Sequence, residues 1–475
     1  MGKRRSRQQL EDALAEAQLQ IARNHLRAFE AAKQSRRTEN WYTTNGGPNA
    51  DLRVAMSTLI RRHQDLVDND PWAGRAIQVI QGNWIGDGIV GAPGPGGTRR
   101  YGNLWQEWSD STACDFYGRL NFYGLQELAA RTTAVRGSVL VRRRFEPSLM
   151  DQGLPPLQLQ VLEPDWLDTD KDEGRRIIGG KQFDDQGRLQ GFWLRHHHPW
   201  EREYSGVRIQ SSFVPTEEVI HHYEVRRPGQ YSGVPWGASV LLRLRDMADR
   251  DSAQLLKDKL AACYTAFVTE LETPDSLSIT ADEIIDTLEP GAVEILPPGR
   301  DIRFAQPPTS GDYTATQLHH LHAVAVGYGI SFESLTGILS EVNFSSARMG
   351  WLEFNRNIAR WRWNITVPQL LDPVHGWFRE MSQIMLGVRG PARMVWTPPR
   401  REMVNPKEEI GWLKDAIRAG FMSLSEVQKS FGFVPLELLD ELKVDMEAAR
   451  SRGLVLDVDP SQDAQRANIQ AAQAP

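Results

Sequence analysis

Between residues 136 and 225 the sequence changes period, and this constrains the fold more than any other feature. SVLVRRRF (138–145), LQLQVLEP (157–164), LQGFWLRHH (189–197) and EVIHHYEV (218–225) are β-branched or alternating runs. Gly, Pro and Asp separate them, and Asp185-Gln186-Gly187 marks a hairpin. Short strands joined by turns in this way predict a mostly antiparallel sheet. On both sides of the stretch, apolar residues recur every three or four positions instead, as on helices. The chain is therefore α+β, and no repeat of fixed period points to a solenoid.

The helical parts can be placed by their caps and stripes. Residues 3–34 read as a helix with a narrow stripe of Leu10, Leu14, Ala17 and Ile21, which suits a peripheral arm or one that docks on a neighbour. TTNGGPNA (43–50) is a linker. Asp70-Pro71 starts a helix, with Asp as cap and Pro in the first turn, and Ala76, Ile77, Val79 and Ile80 form its apolar face. Gly86 and Gly88 break it. GAPGPGGTRR (91–100) reads as a flexible loop; it lacks a following Lys-Ser/Thr, which excludes a phosphate-binding loop. Two further helical stretches surround Trp105 and Leu125.

Pro235 opens a long helix over 235–262. Its stripe of Leu241, Leu244, Ala248 and Leu255 is interrupted by Asp251. The other faces carry Arg243, Arg245, Asp246, Asp249, Arg250, Lys257, Asp258 and Lys259. Such a helix is either solvated with i,i+4 pairs or packed beside copies of itself. Residues 263–312 read as a small unit: a strand in CYTAFVTEL, a helix in ITADEIIDTL and a strand between two Pro-Pro pairs. A second helix over 313–328 has Leu318, Leu321, Ala325 and Tyr328 on one stripe. A turn-rich loop, Ser340-Glu341-Val342-Asn343-Phe344, follows. Ser345 is placed to cap a third helix over 345–364, which continues past Pro368 toward Met385. Residues 403–450 are helical, and the Asp, Gln and Ala-rich tail has no apolar period.

The bulk numbers exclude several classes. The 475 residues are 40% hydrophobic and 24% charged, a globular composition. The net charge of −6 argues against a tight DNA binder, whose affinity comes from Lys and Arg displacing counterions. Fifteen Trp suit core packing, with interfaces as the alternative. Cys114 and Cys263 form no CxxC, so neither a zinc ribbon nor a disulfide framework is expected. The first residues lack an apolar signal region, and no run has the ~20 apolar residues of a membrane span. These features point to a soluble protein made in the cytosol.

Candidate chemistry is sparse. His196-His197-His198 and His221-His222 lie in strand-like segments, where alternation sends neighbours to opposite faces and spoils chelation. His319 and His322 share a helix face but lack an accompanying Glu or Cys. Ser345-Ser346 has no Gly-x-Ser-x-Gly setting. Asp184-Asp185, Glu217-Glu218 and Asp282-Glu283 fall on turns and helix starts. Lys3-Arg4-Arg5, Arg36-Arg37, Arg99-Arg100, Arg142-Arg143-Arg144 and Arg400-Arg401 are basic clusters of the kind that usually coat a solvated face. No catalytic residue, cofactor site or metal site is expected.

Seven longer segments occur in a fixed order: SRRTENW (35–41), NDPWAGRAI (69–77), FYGLQELAAR (122–131), LQLQVLEPDWLD (157–168), EEVIHHYEVRRPGQYSGVPWGASVLLRLRD (217–246), LEPGAVEILPPGRDIRFAQPP (288–308) and NFSSARMGWLEFNR (343–356). In wording and order they resemble the lambda family of tailed-phage portal proteins. The resemblance implies a homo-oligomeric ring of about twelve copies at the capsid vertex. It implies a virion protein of structural rather than enzymatic role, the channel for packaging and ejecting double-stranded DNA. Its partners would be that DNA, bound without sequence preference, the terminase large subunit, the major capsid protein and a head–tail adaptor, with no membrane.

By order of elements the implied subunit has an arm at 1–49, a wing at 50–234 with 345–400, and stem helices at 235–262 and 313–328. A clip at 263–312, a tunnel loop at 329–344, a crown at 401–450 and a disordered tail at 451–475 complete it. Ser340, Glu341, Val342, Asn343 and Phe344 would face the DNA, with Arg243, Lys257 and Lys259 as candidate stem contacts. The competing readings are another capsid-associated adaptor, for which the chain is long, and a DNA-processing enzyme.

Overall fold

The computed structural model describes residues 46–204, 209–262, 266–270, 300–304, 313–339, 344–400, 403 and 405–454, with scattered positions before 46. The chain divides into two units, Met1–Asp51 and Leu52–Pro475. In the first, residues 14–16 and 18 are helical, within the predicted arm helix; Lys3-Arg4-Arg5 lies outside the described residues. The second unit carries the rest of the fold.

Helix α1 (Ala50–Asn69) leads into α2 (Pro71–Trp84) across Asp70. Asp70 caps α2 as predicted: its Oδ1 accepts from the amides of Trp72 and Ala73, each at 2.9 Å. Strand β1 (Val90–Pro93) follows, then α3 (Arg99–Asp110), capped by Thr98, and α4 (Phe122–Arg136), capped by Asn121. The 91–100 stretch is thus a loop only in part. Val90–Pro93 pairs antiparallel with β11 (Met394–Thr397), a strand three hundred residues away that no local signal announces.

Strands β2 to β8 form two antiparallel sheets. The first has the order β3-β2-β8, from β2 (Ser138–Phe145), β3 (Leu157–Leu162) and β8 (Val219–Tyr223). The second runs β4-β5-β6-β7, from β4 (Ile177–Ile178), β5 (Lys181–Phe183), β6 (Leu189–Arg195) and β7 (Ser211–Pro215). Strand β2 shows why they stack. Val139 and Val141 face the main core, with Leu157, Leu159 and Ile220. Leu140 between them faces the other way, into a second cluster with Leu162, Phe192, Leu194, Val214 and Val219. Period-two alternation places one helical layer and one small sheet on opposite faces of the same three strands.

Helix α5 (Leu241–Ala262) begins after a short 3₁₀ turn at Trp236–Ser239, so the predicted helix over 235–262 is broken at its start. Strands β9 (Ala266–Glu270) and β10 (Arg300–Phe304) pair antiparallel, which matches the two strands expected in 263–312; the residues between them, Asp282-Glu283 included, lie outside the described ones. Then come α6 (Tyr313–Tyr328), a short α7 (Phe332–Thr336) and α8 (Phe344–Trp361). A ten-residue π-helix, Arg362–Leu371, contains Pro368 and runs directly into α9 (Asp372–Leu386). Helix α8 starts at Phe344, so Ser345 is its second residue rather than its cap. Helices α10 (Pro406–Arg418), α11 (Leu424–Ser430) and α12 (Pro435–Ser451) fill the region predicted to be helical.

The main core gathers α2, α3, α4, α6, α8, the π-helix and α9 against the first sheet. Trp84, Trp105 and Trp108 are fully buried in it, in line with core packing, whereas Trp363 is half exposed. At its edge, α4 ends on Gly137 in the left-handed conformation (φ +86°), pressed against Gly233. A Cβ at Gly233 would overlap the Gly137 carbonyl oxygen, which is backbone and cannot rotate aside. Gly233→Ala is therefore expected to lower unfolding stability by at least about 2 kcal/mol in urea melts. Gly82→Ala, in α2 with nothing within 4 Å of the added carbon, should be neutral or raise it by up to about 1 kcal/mol.

Candidate functional site

The long mixed-charge helix resolves into one arm of a hairpin. Helices α5 and α6 pack together, with Leu241, Leu244 and Met247 buried on the first and Leu321, Val324, Ala325 and Tyr328 on the second. Of the predicted stripes, Leu241, Leu244, Leu321, Ala325 and Tyr328 are buried at the end that meets the core, Ala248 and Leu318 are only partly so, and Met247 and Val324 join them unpredicted. Farther out, Leu255 and Leu256 are more than half exposed.

Polar contacts take over along the outer half. Asp251, which interrupts the apolar stripe, accepts hydrogen bonds from the Tyr313 hydroxyl and from Gln317 Nε2. The bond to Asp251 raises the Tyr313 pKa, so the phenol stays protonated and donating. The Arg250 guanidinium lies 4.9 Å from the Tyr313 ring centroid. Arg243, one candidate DNA contact, donates from Nη1 to His320 Nδ1 at 2.8 Å. Desolvation first, and the Arg243 charge second, lower the His320 pKa and favour that acceptor role. Lys257 is half-buried and Lys259 exposed. Arg245–Asp249 and Gln254–Asp258 are i,i+4 pairs along the helix.

The inner end of the hairpin is bolted to the core by a residue the sequence analysis does not single out. His63 of α1 lies 2.6 Å by Nδ1 from the Val135 carbonyl, so Nδ1 carries the proton. Its Nε2 then accepts from the Tyr328 hydroxyl at 2.9 Å. Burial lowers the His63 pKa, against the raising effect of the Val135 bond, and keeps the ring neutral. Beside it, Trp84, Trp236 and Trp361 stack from three elements, with Trp84–Trp236 centroids 4.9 Å apart and Trp236–Trp361 4.8 Å apart. Arg362 donates from Nε and Nη2 to the carbonyls of Trp84 and Asn83, closing the C-terminus of α2. Burial brings its pKa down to about 10.

Of the predicted loop, Ser340, Glu341, Val342 and Asn343 lie outside the described residues, and Phe344 opens α8. The approach to it is not all loop. Ser331 caps α7, Leu335 is buried, and Gly337 ends the turn at φ +72°. Ile338 and Leu339 then emerge to the surface.

The other candidates separate into structural roles. His322 stacks on Phe332 at 3.7 Å and His320 engages Arg243, so the helix histidines do not converge. His222 lies 2.8 Å by Nδ1 from Thr133 Oγ1. His198 does meet two carboxylates, Glu163 and Asp165, the one group with metal-ligand spacing among the described residues. Arg136 already binds an oxygen of each, and Trp200 donates to Asp165, which makes an ion network. Asp184 closes its hairpin by accepting from the amides of Gln186 and Arg188. Arg143 pairs with Glu380, and Arg144 donates to Gln160 over the Phe116 ring. Arg400 is exposed, and Arg401 lies outside the described residues.

These buried histidines set an acid limit. Burial holds His222 down to about 3 and His375 to about 4, far below the usual 6.5. A neutral, depressed histidine stabilises the fold above the unfolded pKa. As pH falls from about 6.5 toward 4 the unfolded chain binds protons that the native state refuses, and stability is lost. Each such histidine contributes a slope of about 1.4 kcal/mol per pH unit in that window. Urea midpoints of wild type should fall between pH 7 and pH 5, and His375→Gln should fall less steeply by about one proton. Equal slopes would show that His375 protonates freely in the native state.

The chain was compared with known proteins. The model of the family described as phage portal protein, lambda family, matches residues 34–362. A probable portal protein of Halomonas phage phiHAP-1 is 24% identical over 460 residues, covering 90% of this chain and 88% of that protein. Portal protein B of Escherichia phage lambda is 22% identical, covering 65% and 66%. Among solved structures, the neck of an empty GTA particle computed with C6 symmetry aligns with a TM-score of 0.49 at 15% identity, over 80% of this chain and 93% of that one. The neck of the native GTA particle computed with C12 symmetry gives 0.49 at 16%, with the same coverage. With the family model spanning well over half of its length, this chain belongs to the lambda family of phage portal proteins.

Proposed function

We propose that this portal protein assembles into a closed ring of about twelve copies at the capsid vertex, the conduit for packaging and ejecting double-stranded DNA. The observation that carries the reading is the α5/α6 hairpin, fixed to the core at one end and bare at the other. Leu255 and Leu256 are more than half exposed on its outer half, and Leu242 and Val326 are exposed nearer the core. A monomer rarely leaves so much apolar area on one element, whereas side-by-side copies in a ring would cover it. In this reading the hairpin is the stem, the β9/β10 unit belongs to the clip at 263–312, and the two sheets with α8, the π-helix and α9 form the wing. Residues 329–344 hold the tunnel loop, and α10 to α12 the crown. The crown supports the same idea, with Ile410, Trp412, Phe421 and Leu436 exposed.

The protein acts structurally, with terminase, the major capsid protein and a head–tail adaptor as docking partners and DNA held weakly. The net charge of −6 suits a conduit through which DNA slides. Arg243 is engaged with His320, which leaves Lys259 as the better-exposed stem cation.

Native mass spectrometry of the purified full-length chain should give a closed species of about a dozen subunits. A protein that stays monomeric across salt and concentration would refute the ring. Within the ring, Glu341→Ala removes one charge per copy from the proposed lining. Glu341→Ala and Asn343→Ala should each cost under about 1 kcal/mol of stability and still form rings. Procapsids carrying them should package less DNA or lose it afterward. Wild-type packaging by both variants would show that the segment does not handle DNA.

A further inference from the structure

Helices α10 and α11 border an open groove of about 400 Å³. Ile410, Leu413 and Ile417 of α10 line it, with Val427 of α11 and Phe431 just past the end of that helix. Ile410 is 54% exposed, so the apolar lining faces water in a single copy. Among the described residues the charged groups on the lining are both cations, Lys414 and Arg418. Four positions apart, they stand along one edge of α10. Neither has an ion-pair partner among the described residues.

A segment of the opposite character lies in the arm. Residues 8–22 carry Glu11, Asp12 and Glu16 and no Lys or Arg. Leu10, Leu14, Ala17 and Ile21 recur at spacings of four, three and four, which is one face of a helix. Residues 14–16 and 18 are helical, and Leu14 is 63% exposed. Leu10 to Ala17 and Ile410 to Ile417 each span seven positions, about 10 Å of helix. The stripe thus matches the groove in length and polarity, and its acidic flanks answer the basic edge.

We propose that the groove takes the arm helix of a second copy of this chain. Leu14 packs on Ile410, Leu413 and Ile417, and the acidic flanks of the stripe meet Lys414 and Arg418. Leu14 and Ile410 are both more than half exposed within one copy, which leaves each surface to be covered from outside. A contact between two different patches repeats from copy to copy and can close into a ring. The second copy is the one that the ring reading puts alongside, so the docking rests on that reading.

The test is cross-linking between full-length chains. Copies carrying Leu14→Cys and copies carrying Ile410→Cys are co-expressed and treated with a short bis-maleimide. Each variant treated alone gives the background from the native cysteines. Mixed rings should yield covalent dimers joining one variant to the other, well above that background. Lys414→Glu with Arg418→Glu, added to the Ile410→Cys copies, should cut the yield about tenfold, because like charges then face each other. Glu11→Lys with Glu16→Lys in the Leu14→Cys copies should bring it back. Wild-type rings in native mass spectrometry without mixed dimers overturn the docking and leave the ring standing. A wild type that forms neither rings nor mixed dimers overturns both. A link found only when both cysteines share one chain assigns the groove to the chain's own arm and overturns the second copy as occupant. A yield that ignores both charge reversals overturns the groove as the docking place.

Discussion

The rest of the structure depends on the stacking of Trp84, Trp236 and Trp361. Each ring comes from a different part of the chain: the end of α2, the 3₁₀ turn before α5 and the last turn of α8. Offset aromatic contacts at 5–6 Å add to the large area these side chains bury. The Trp84 indole also donates to Thr366 in the π-helix at 2.8 Å, so a fourth element is pinned at the same point. The direction in which the α5/α6 hairpin leaves the core is fixed here, with His63 and Tyr328 as a second anchor. If the outer hairpin is to be exchanged between solvent and neighbouring copies, its root must be rigid, and this is where the rigidity comes from.

Around that junction the fold divides its labour by exposure. The three-stranded sheet is covered on both faces and gives the fold a solid centre. The hairpin and the last three helices are the reverse, with large apolar side chains facing outward. Their outer contacts are polar and local, such as Asp251 with Tyr313 and Arg245 with Asp249. Contacts of that kind hold an element's shape without covering its apolar surface.

Much of this was legible in the sequence wherever the signal is local. Asp70-Pro71 announces the start of α2, the alternating runs announce β2, β3, β6 and β8, and the stripe on α6 names three of its four buried residues, Leu321, Ala325 and Tyr328. Asp251 looked like a flaw in an apolar stripe and is instead its partner-facing hydrogen-bond acceptor. What escaped is non-local. The pairing of β1 with β11 depends on residues three hundred positions apart. His63 and Arg362 look like ordinary surface residues until the fold brings them Val135 and the end of α2. The tunnel loop was chosen through family resemblance, since neither composition nor spacing distinguishes residues 340–343 from any helix connection.

The π-helix between α8 and α9 has a consequence for angular phase. An α-helix advances about 100° per residue, so Ile358 and Val374, sixteen positions apart, would point about 160° away from each other on a continuous α-helix. Hydrogen bonds to the fifth residue widen the winding to roughly 4.4 residues per turn, or about 82° each. Ten such residues bring Ile358 and Val374 to within about 20° of alignment. Both are buried in the one core. The wide turn around Pro368 thus works as a gear of fixed ratio: it lets a forty-three-residue rod, Phe344 to Leu386, present one continuous inner face. A single residue added to or lost from Arg362–Leu371 would turn everything beyond it out of mesh.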